Sequence, residues 1–318
     1  MKNKGLSYYF LKNRKRLSAY LLICVIVLVF SLIMYIMSLS GIAEPLSDSF
    51  NAYTGLEHFS KPASSYPLSV HFIDVGCGDS ILISAQGRNI LIDTGEYSLR
   101  GDTACYLKKA GVKHLDLFVA SHTDSDHIGD FSSVADNIGI DKLWLSKYAK
   151  KPVSKQSEDE KLFYSKIDEL GIKAEEPETG VYDFGGFTIE VMSPGRDLSD
   201  ENENSLVLRL CYEDVSFLFM GDAGKKAEKE LAASGKELSS DILKAGHHGS
   251  DGSSTAEFLK AVKPSFTVIS AGEENKYLPS RKCIDRISSC GSEILRTDLD
   301  GTIIIVSDGK ELSYITEK

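Results

Sequence analysis

Apolar positions along this chain come in short runs separated by polar turns. Runs rich in Val, Ile, Leu and Phe occupy 69–75, 79–84, 89–92, 115–120, 142–146, 187–192, 205–211, 215–220, 266–270, 292–295 and 302–306. Their length and β-branched content predict strands. Apolar residues at helical spacing predict helices over 102–110, 128–137, 157–170, 224–234, 255–262 and 280–289. Paired strands come first, and strands then alternate with helices. That order predicts an α/β fold, a mixed sandwich of sheets and helices.

One apolar stretch is of another kind. From Leu17 to Ala43 no charged residue occurs, and its centre, YLLICVIVLVFSLIMYIM, is almost wholly apolar. About 20 such residues span a bilayer. Lys2, Lys4, Lys12, Arg14, Lys15 and Arg16 precede it, with no acid before residue 44. This asymmetry predicts a bacterial single-pass membrane protein with its N-terminus in the cytoplasm and the rest of the chain outside the cell. A signal peptide cleaved near Gly41-Ile42-Ala43 is the rival reading. The apolar core of signal peptides usually runs only about 7 to 15 residues, which favours an uncleaved transmembrane anchor over 1–43. Residues 44–67 carry Pro45, Pro62 and Pro67 among serines and read as a linker, leaving 68–318 as one folded domain.

Charge narrows the partners. The formal net charge is −10, so residues 44–318 carry −16 once the basic leader is set aside. Such a domain repels DNA unless a local groove is basic. Lys225, Lys226, Lys229, Lys244, Arg281 and Lys282 are the cations available for one. Six cysteines occur without a C-x-x-C pair, so they define neither a zinc knuckle nor a disulfide framework.

The chemistry concentrates after the run 115–120. There SHTDSDHIGD (121–130) sets His122, Asp124, Asp126 and His127 in an H-x-D-x-D-H array. Imidazoles mixed with carboxylates suit zinc, manganese or iron better than calcium. LKAGHHGS (243–250) places His247 and His248 after another strand signal, so these two motifs hold four of the seven histidines. FLFM (217–220) ends at Asp222, a carboxylate well placed to bridge two cations. Asp74, Asp79 and Asp93 lie near the turns of IDVGCGDS and LIDTGE, with Cys77 in the first of them.

Taken in order, VGCGDS, LIDTG, SHTDSDHIGD, NSLVLRL, FLFMGD, LKAGHHGS and RTDLDGT resemble the metallo-β-lactamase superfamily, in particular the metallo-β-lactamase-like domain of ComEC-type DNA-uptake (competence) proteins. The resemblance implies an αββα sandwich with metals at one edge of its sheets. It makes His122, Asp124, Asp126 and His127 metal ligands, Asp222 the bridging carboxylate and His247 the last ligand. Asp126 is then essential to catalysis, and His248 donates a hydrogen bond or a proton. Asp93 and Asn204 support the ligands from behind. One or two divalent ions, zinc or manganese, would activate water for hydrolysis. The chain departs from the pattern at Cys77, where the family usually has glutamine. It departs again at Asn275-Lys276-Tyr277-Leu278-Pro279, which lacks the Gly-His of a late N-x-Y-G-H-P motif.

The expected function is therefore an extracellular, membrane-anchored, metal-dependent phosphodiesterase or nuclease. Its expected substrate is a phosphodiester, either DNA or a cell-wall polymer, and no protein partner is expected. A cell-envelope phosphoesterase of the phosphorylcholine esterase type is the first alternative. A metal-binding but inactive interaction module is the second.

Overall fold

The computed structural model describes residues 65–97, 102–148, 151–193 and 195–318. The apolar stretch 17–43, the basic leader and nearly all of the linker lie outside the described residues. Among those described, no helix is long and apolar enough to cross a membrane.

In chain order the first half contains β1 (Leu68–Phe72), β2 (Ile81–Ala85), β3 (Arg88–Ile92), α1 (Asp102–Lys109), β4 (His114–Leu115), β5 (Leu117–Ala120), α2 (Ser125–Ile128), α3 (Phe131–Asn137), β6 (Gly139–Ile140), β7 (Lys142–Leu145), α4 (Glu158–Leu170) and β8 (Lys173–Glu175). The second half contains β9 (Gly180–Asp183), β10 (Thr188–Ser193), β11 (Val207–Tyr212), β12 (Val215–Phe219), α5 (Lys225–Ala233), β13 (Ile242–Lys244), α6 (Ala256–Val262), β14 (Phe266–Ile269), α7 (Arg281–Ser289), β15 (Glu293–Arg296), α8 (Thr297–Asp300), β16 (Ile303–Ser307) and β17 (Leu312–Thr316).

Two sheets result. One has the order β17-β16-β1-β2-β3-β5-β7-β8, the other β15-β14-β13-β12-β11-β10-β9. The apolar runs are continuous because both faces of most strands are covered. In β5, Leu117 and Val119 join Ile189, Leu208 and Phe217 between the sheets. Phe118 and Ala120 on its other face meet Phe131, Val134 and Phe163 of the outer helices. The second sheet repeats the scheme, with Leu218, Leu243 and Ile269 against Leu231, Leu259 and Ile287. Helix, sheet, sheet and helix therefore stack in four layers.

Two details differ from the pattern, and one charged segment joins the core. The helix expected over 128–137 is two helices, α2 and α3, broken at Gly129-Asp130. A Cβ at Gly129 would lie 2.3 Å from the Tyr97 nitrogen, so the chain passes there only without a side chain. The charged segment 147–178 is part of the fold, because Phe163 and Ile167 of α4 are buried and β8 extends the first sheet. Strands β8 and β9 are short and carry little apolar signal because they lie at sheet edges, where polar side chains discourage further pairing, and β17, a third edge strand, is only partly buried.

One polar group in the first sheet makes the fold acid-sensitive. His71 is 4% exposed. Its Nδ1 lies 2.7 Å from the Tyr106 hydroxyl and its Nε2 lies 2.9 Å from Ser69 Oγ. Burial pushes its pKa down to about 4. A base depressed in the fold stays neutral there while the unfolded chain protonates. Its contribution is complete above about pH 6.5 and is lost as pH falls from there toward 4, at a cost of about 3 kcal/mol. Urea unfolding at pH 7 and pH 4 should show His71→Gln losing about 3 kcal/mol less stability over that interval than the parent. An unchanged acid limb would refute this role.

Candidate metal centre

The parallel strands set the site. β3, β5 and β7 run parallel in the first sheet, and β12, β13 and β14 run parallel in the second. Asp93, His122, Asp222 and the His247-His248 pair follow the carboxyl ends of β3, β5, β12 and β13. The sheets meet beside them, where the Leu206 N–H donates to the Ser121 carbonyl at 2.8 Å. A Cβ at Gly221 would already come within 3.0 Å of Ser121 and Ser205.

Asp93 leaves β3 with a left-handed φ of 57°. Its carboxylate accepts from the Ser121 backbone at 2.7 Å and from Ser121 Oγ at 2.6 Å, and it lies 2.8 Å from His127 Nδ1. His127 is therefore fixed with Nδ1–H toward Asp93 and Nε2 toward Asp222. His248 is fixed the same way, its Nδ1 facing the Ser270 carbonyl at 3.2 Å. A ligand imidazole needs this kind of support behind it. His247 and His248 both take left-handed φ values, 46° and 50°. Two strained residues in succession turn both rings toward Asp222, and such strain gathers at functional sites.

Asp222 stands at the middle. Its Oδ1 lies 3.2 Å from His127 Nε2 and 3.4 Å from His248 Nε2. Its Oδ2 lies 4.0 Å from His122 Nε2 and 3.7 Å from His247 Nε2. Asp124 Oδ2 is 3.6 Å from His122 Nε2, and Asp126 Oδ2 is 3.3 Å from His248 Nε2. Donors around a four-coordinate ion with bonds of about 2.0–2.2 Å are spaced at roughly 3.3–3.6 Å, so these separations suit cations. Nε2 of His122, His127 and His248, with Oδ1 of Asp222, are buried without a hydrogen-bond partner among the described residues. Buried polar atoms are rarely left so. The residues fit divalent ions.

Electrostatics agree with that fit. Burial opposes charge on His127, yet Asp222 and Asp93 overrule it and hold its pKa well above the usual imidazole value. His248 is raised in the same way, against burial, by Asp222 and Asp126. Asp126 falls to about 2 despite burial, through its contact with His248 and the charge of His127. The His122 contact lowers Asp124. Protons and cations thus compete for the same nitrogens.

The structure brings His122, Asp124, Asp126, His127, Asp222, His247 and His248 together, with Asp93 behind them. The histidine pair divides unevenly: the His248 side chain is 6% exposed and that of His247 39%. Asn204, expected behind the ligands, turns away; its Oδ1 accepts from Leu198 N and its Nδ2 donates to Asp197. Its neighbours take that place. Ser205 Oγ accepts from Asp222 N at 3.1 Å, and Asn202 Nδ2 lies 3.3 Å from His247 Nδ1. Cys77 stands outside the donor groups found among the described residues, and the Tyr277 side chain is largely in solvent.

Two further residues escaped the sequence reading. Glu160, fully buried in α4, accepts from Thr123 Oγ1 at 2.8 Å inside the ligand loop. Lys151 Nζ meets Glu201 at 2.5 Å, Glu160 at 3.3 Å and Asp124 at 3.9 Å. The Ser157-x-x-Glu160 capping box was the available signal for α4, but it carried no hint of Thr123. Beside the centre, Tyr148, Asp197, Asp200, Glu201 and Asn202 line an open, acidic cleft of about 560 Å³.

Comparison with known proteins agrees with the fold. The family model described as the metallo-beta-lactamase superfamily matches residues 73–273, and the chain belongs to that superfamily. ComE operon protein 3 of Bacillus subtilis (strain 168) is 32% identical over 267 residues, covering 77% of this chain and 34% of that protein. Competence protein ComA of Neisseria gonorrhoeae is 35% identical over 236 residues, covering 72% of this chain and 31% of its own. The chain thus spans about a third of the length of these relatives. A mutant of CmlA beta-hydroxylase superimposes with a TM-score of 0.52 at 12% identity, over 76% of this chain and 54% of that one, a likeness of fold alone.

Proposed function

We propose that this member of the metallo-β-lactamase superfamily is a phosphodiesterase dependent on two divalent ions, held outside the cell by the apolar stretch 17–43. The observation that carries the reading is Asp222, whose two oxygens face two separate sets of nitrogen and carboxylate donors. His122, Asp124 and Asp222 would hold one ion and leave a position open. Asp126, His127, His248 and Asp222 would hold the other. Zinc or manganese suits this mixture of donors. When bound, such a pair can lower the pKa of water to about 7 and steady both oxygens of an in-line displacement at phosphorus.

The chain's own groups would do the rest. Asp93 and the Ser270 carbonyl keep the His127 and His248 lone pairs aimed inward. Asn202 Nδ2 donates to His247 Nδ1, which leaves the proton of neutral His247 on Nε2, facing the centre. His247 is thereby suited to protonate a departing alkoxide, and His248 to bind an ion. These roles are exchanged relative to the sequence expectation.

DNA is a substrate class suggested by the competence proteins among the relatives. The acidic cleft and the net charge favour a short phosphodiester with a neutral or cationic portion, as on a decorated wall polymer. The deciding experiment is metal content of the purified full-length chain, measured with its hydrolysis of bis-(p-nitrophenyl) phosphate. Two ions per chain and turnover are expected. Rates on single-stranded DNA and on a choline-bearing phosphodiester would then separate the two substrate classes. A metal-loaded chain inert toward all three would defeat the reading.

A further inference from the structure

Lys244 is the last residue of β13, with a fully buried side chain. It donates to the Ala245 carbonyl at 2.9 Å and meets Asp79 Oδ2 at 2.8 Å. Asp79 is 1% exposed, and its Oδ1 has no hydrogen-bond partner. Nearby is His248 Nδ1, 3.5 Å away. Removing two charges from water costs several kcal/mol per ion, and apolar residues of like volume are often as stable. A buried pair at such a place calls for another explanation.

Its position supplies one. Asp79 N donates to the Asp126 carbonyl at 3.2 Å, and Gly95 N donates to the Asp79 carbonyl at 2.7 Å. A Cβ at Gly78 would lie 2.1 Å from the Asp126 oxygen, so this turn is pressed against the ligand loop. Asp79 therefore touches the Asp126 loop, the turn after Asp93 and the His248 ring at once, and Lys244 fixes its carboxylate from the second sheet.

We propose that the Asp79–Lys244 ion pair is a positioning device that holds His248 with Nδ1 backed by oxygen and Nε2 aimed at Asp126 and Asp222. Two acceptors, the Ser270 carbonyl and Asp79 Oδ1, face Nδ1. Lys244 keeps Asp79 from turning and balances its charge beside the ligands. The inference rests on the metal-centre part of the proposed function and not on its substrate.

The test uses the full-length chain, its Asp79→Asn and Lys244→Met variants and the double variant. In the zinc-loaded parent, long-range ¹H–¹⁵N spectra should show the remaining proton of His248 on Nδ1. In cobalt(II) titrations followed by d–d absorption, each single variant should bind the second equivalent about 10- to 100-fold more weakly, with an altered band. The first equivalent should be unaffected. The double variant should fall between parent and singles, since neither charge is then left unpaired. Single variants that lose thermal stability but keep the parental second-site affinity and spectrum would make the pair merely structural. A zinc-loaded parent whose His248 carries its proton on Nε2 would also overturn the proposal. If the singles do not fold, a double variant with parental second-site binding overturns it. A parent that takes up no cobalt overturns this proposal and the metal-centre reading together. A cobalt-loaded parent that cleaves no ester defeats the hydrolase reading alone, and the variants still decide the role of the pair.

Discussion

Asp222→Asn is expected to yield a folded chain that keeps neither ion and has lost the proposed hydrolysis by at least about 10⁴-fold. The substitution is nearly isosteric, so packing around the residue, only 3% exposed, is preserved. Chemically it is severe. Asp222 offers one oxygen to His127 and His248 and the other to His122 and His247. An amide keeps one oxygen, removes the shared negative charge and turns an N–H₂ toward one set of donors. Neither ion retains its full set, and the acidity lent to water is lost with them. The check is metal analysis beside turnover, with circular dichroism to confirm folding. Parental turnover in this variant would sink the idea of a shared carboxylate.

Replacing the paired histidines one at a time should separate their roles. His248→Gln should hold about one ion and lose most activity, since His248 Nε2 lies among Asp126, Asp222 and His127. His247→Gln should hold both ions while kcat falls about 10²- to 10⁴-fold, the range for removing a general acid. An ester with a good leaving group should lose far less, because it needs no proton. Bis-(p-nitrophenyl) phosphate compared with an alkyl phosphodiester makes that distinction. Equal losses on both substrates, or loss of an ion from His247→Gln, would return His247 to the role of ligand.

Much of the fold was legible because apolar runs buried on both faces stand out in any chain. Those at 115–120, 215–220 and 302–306 became β5, β12 and β16. Edge strand β8, KAE, was missed because it is short and mostly charged, and β17, LSYIT, because its apolar residues are interrupted by Ser313 and only partly buried. The cation donors were legible as well, since histidines and aspartates crowd into loops after such strands. Less legible was whatever depends on distant segments meeting. Glu160 reads as a helix cap, and only folding shows that it reaches Thr123. Lys244 is an anomaly inside an apolar strand, but its partner lies in a turn far upstream. Asn204 and Asn202 are alike on paper. A 3-10 turn over Asn202–Asn204 gives Asn202 to His247 and sends Asn204 to Leu198 and Asp197.

The donors of one centre come from both sheets: Asp126 and His127 from the first, Asp222 and His248 from the second. Ions seated there would act as rivets between two halves of the chain, closing a loop of about 100 residues. A disulfide closing such a loop would restrict the unfolded chain by about 4–5 kcal/mol. All five cysteines in the described residues are free thiols, so any cross-link between these segments would fall to the cations instead. Such fastening is indifferent to thiols and oxidants, and is undone by a chelator or by acid. Metal supply would then decide how long the domain survives as well as whether it acts.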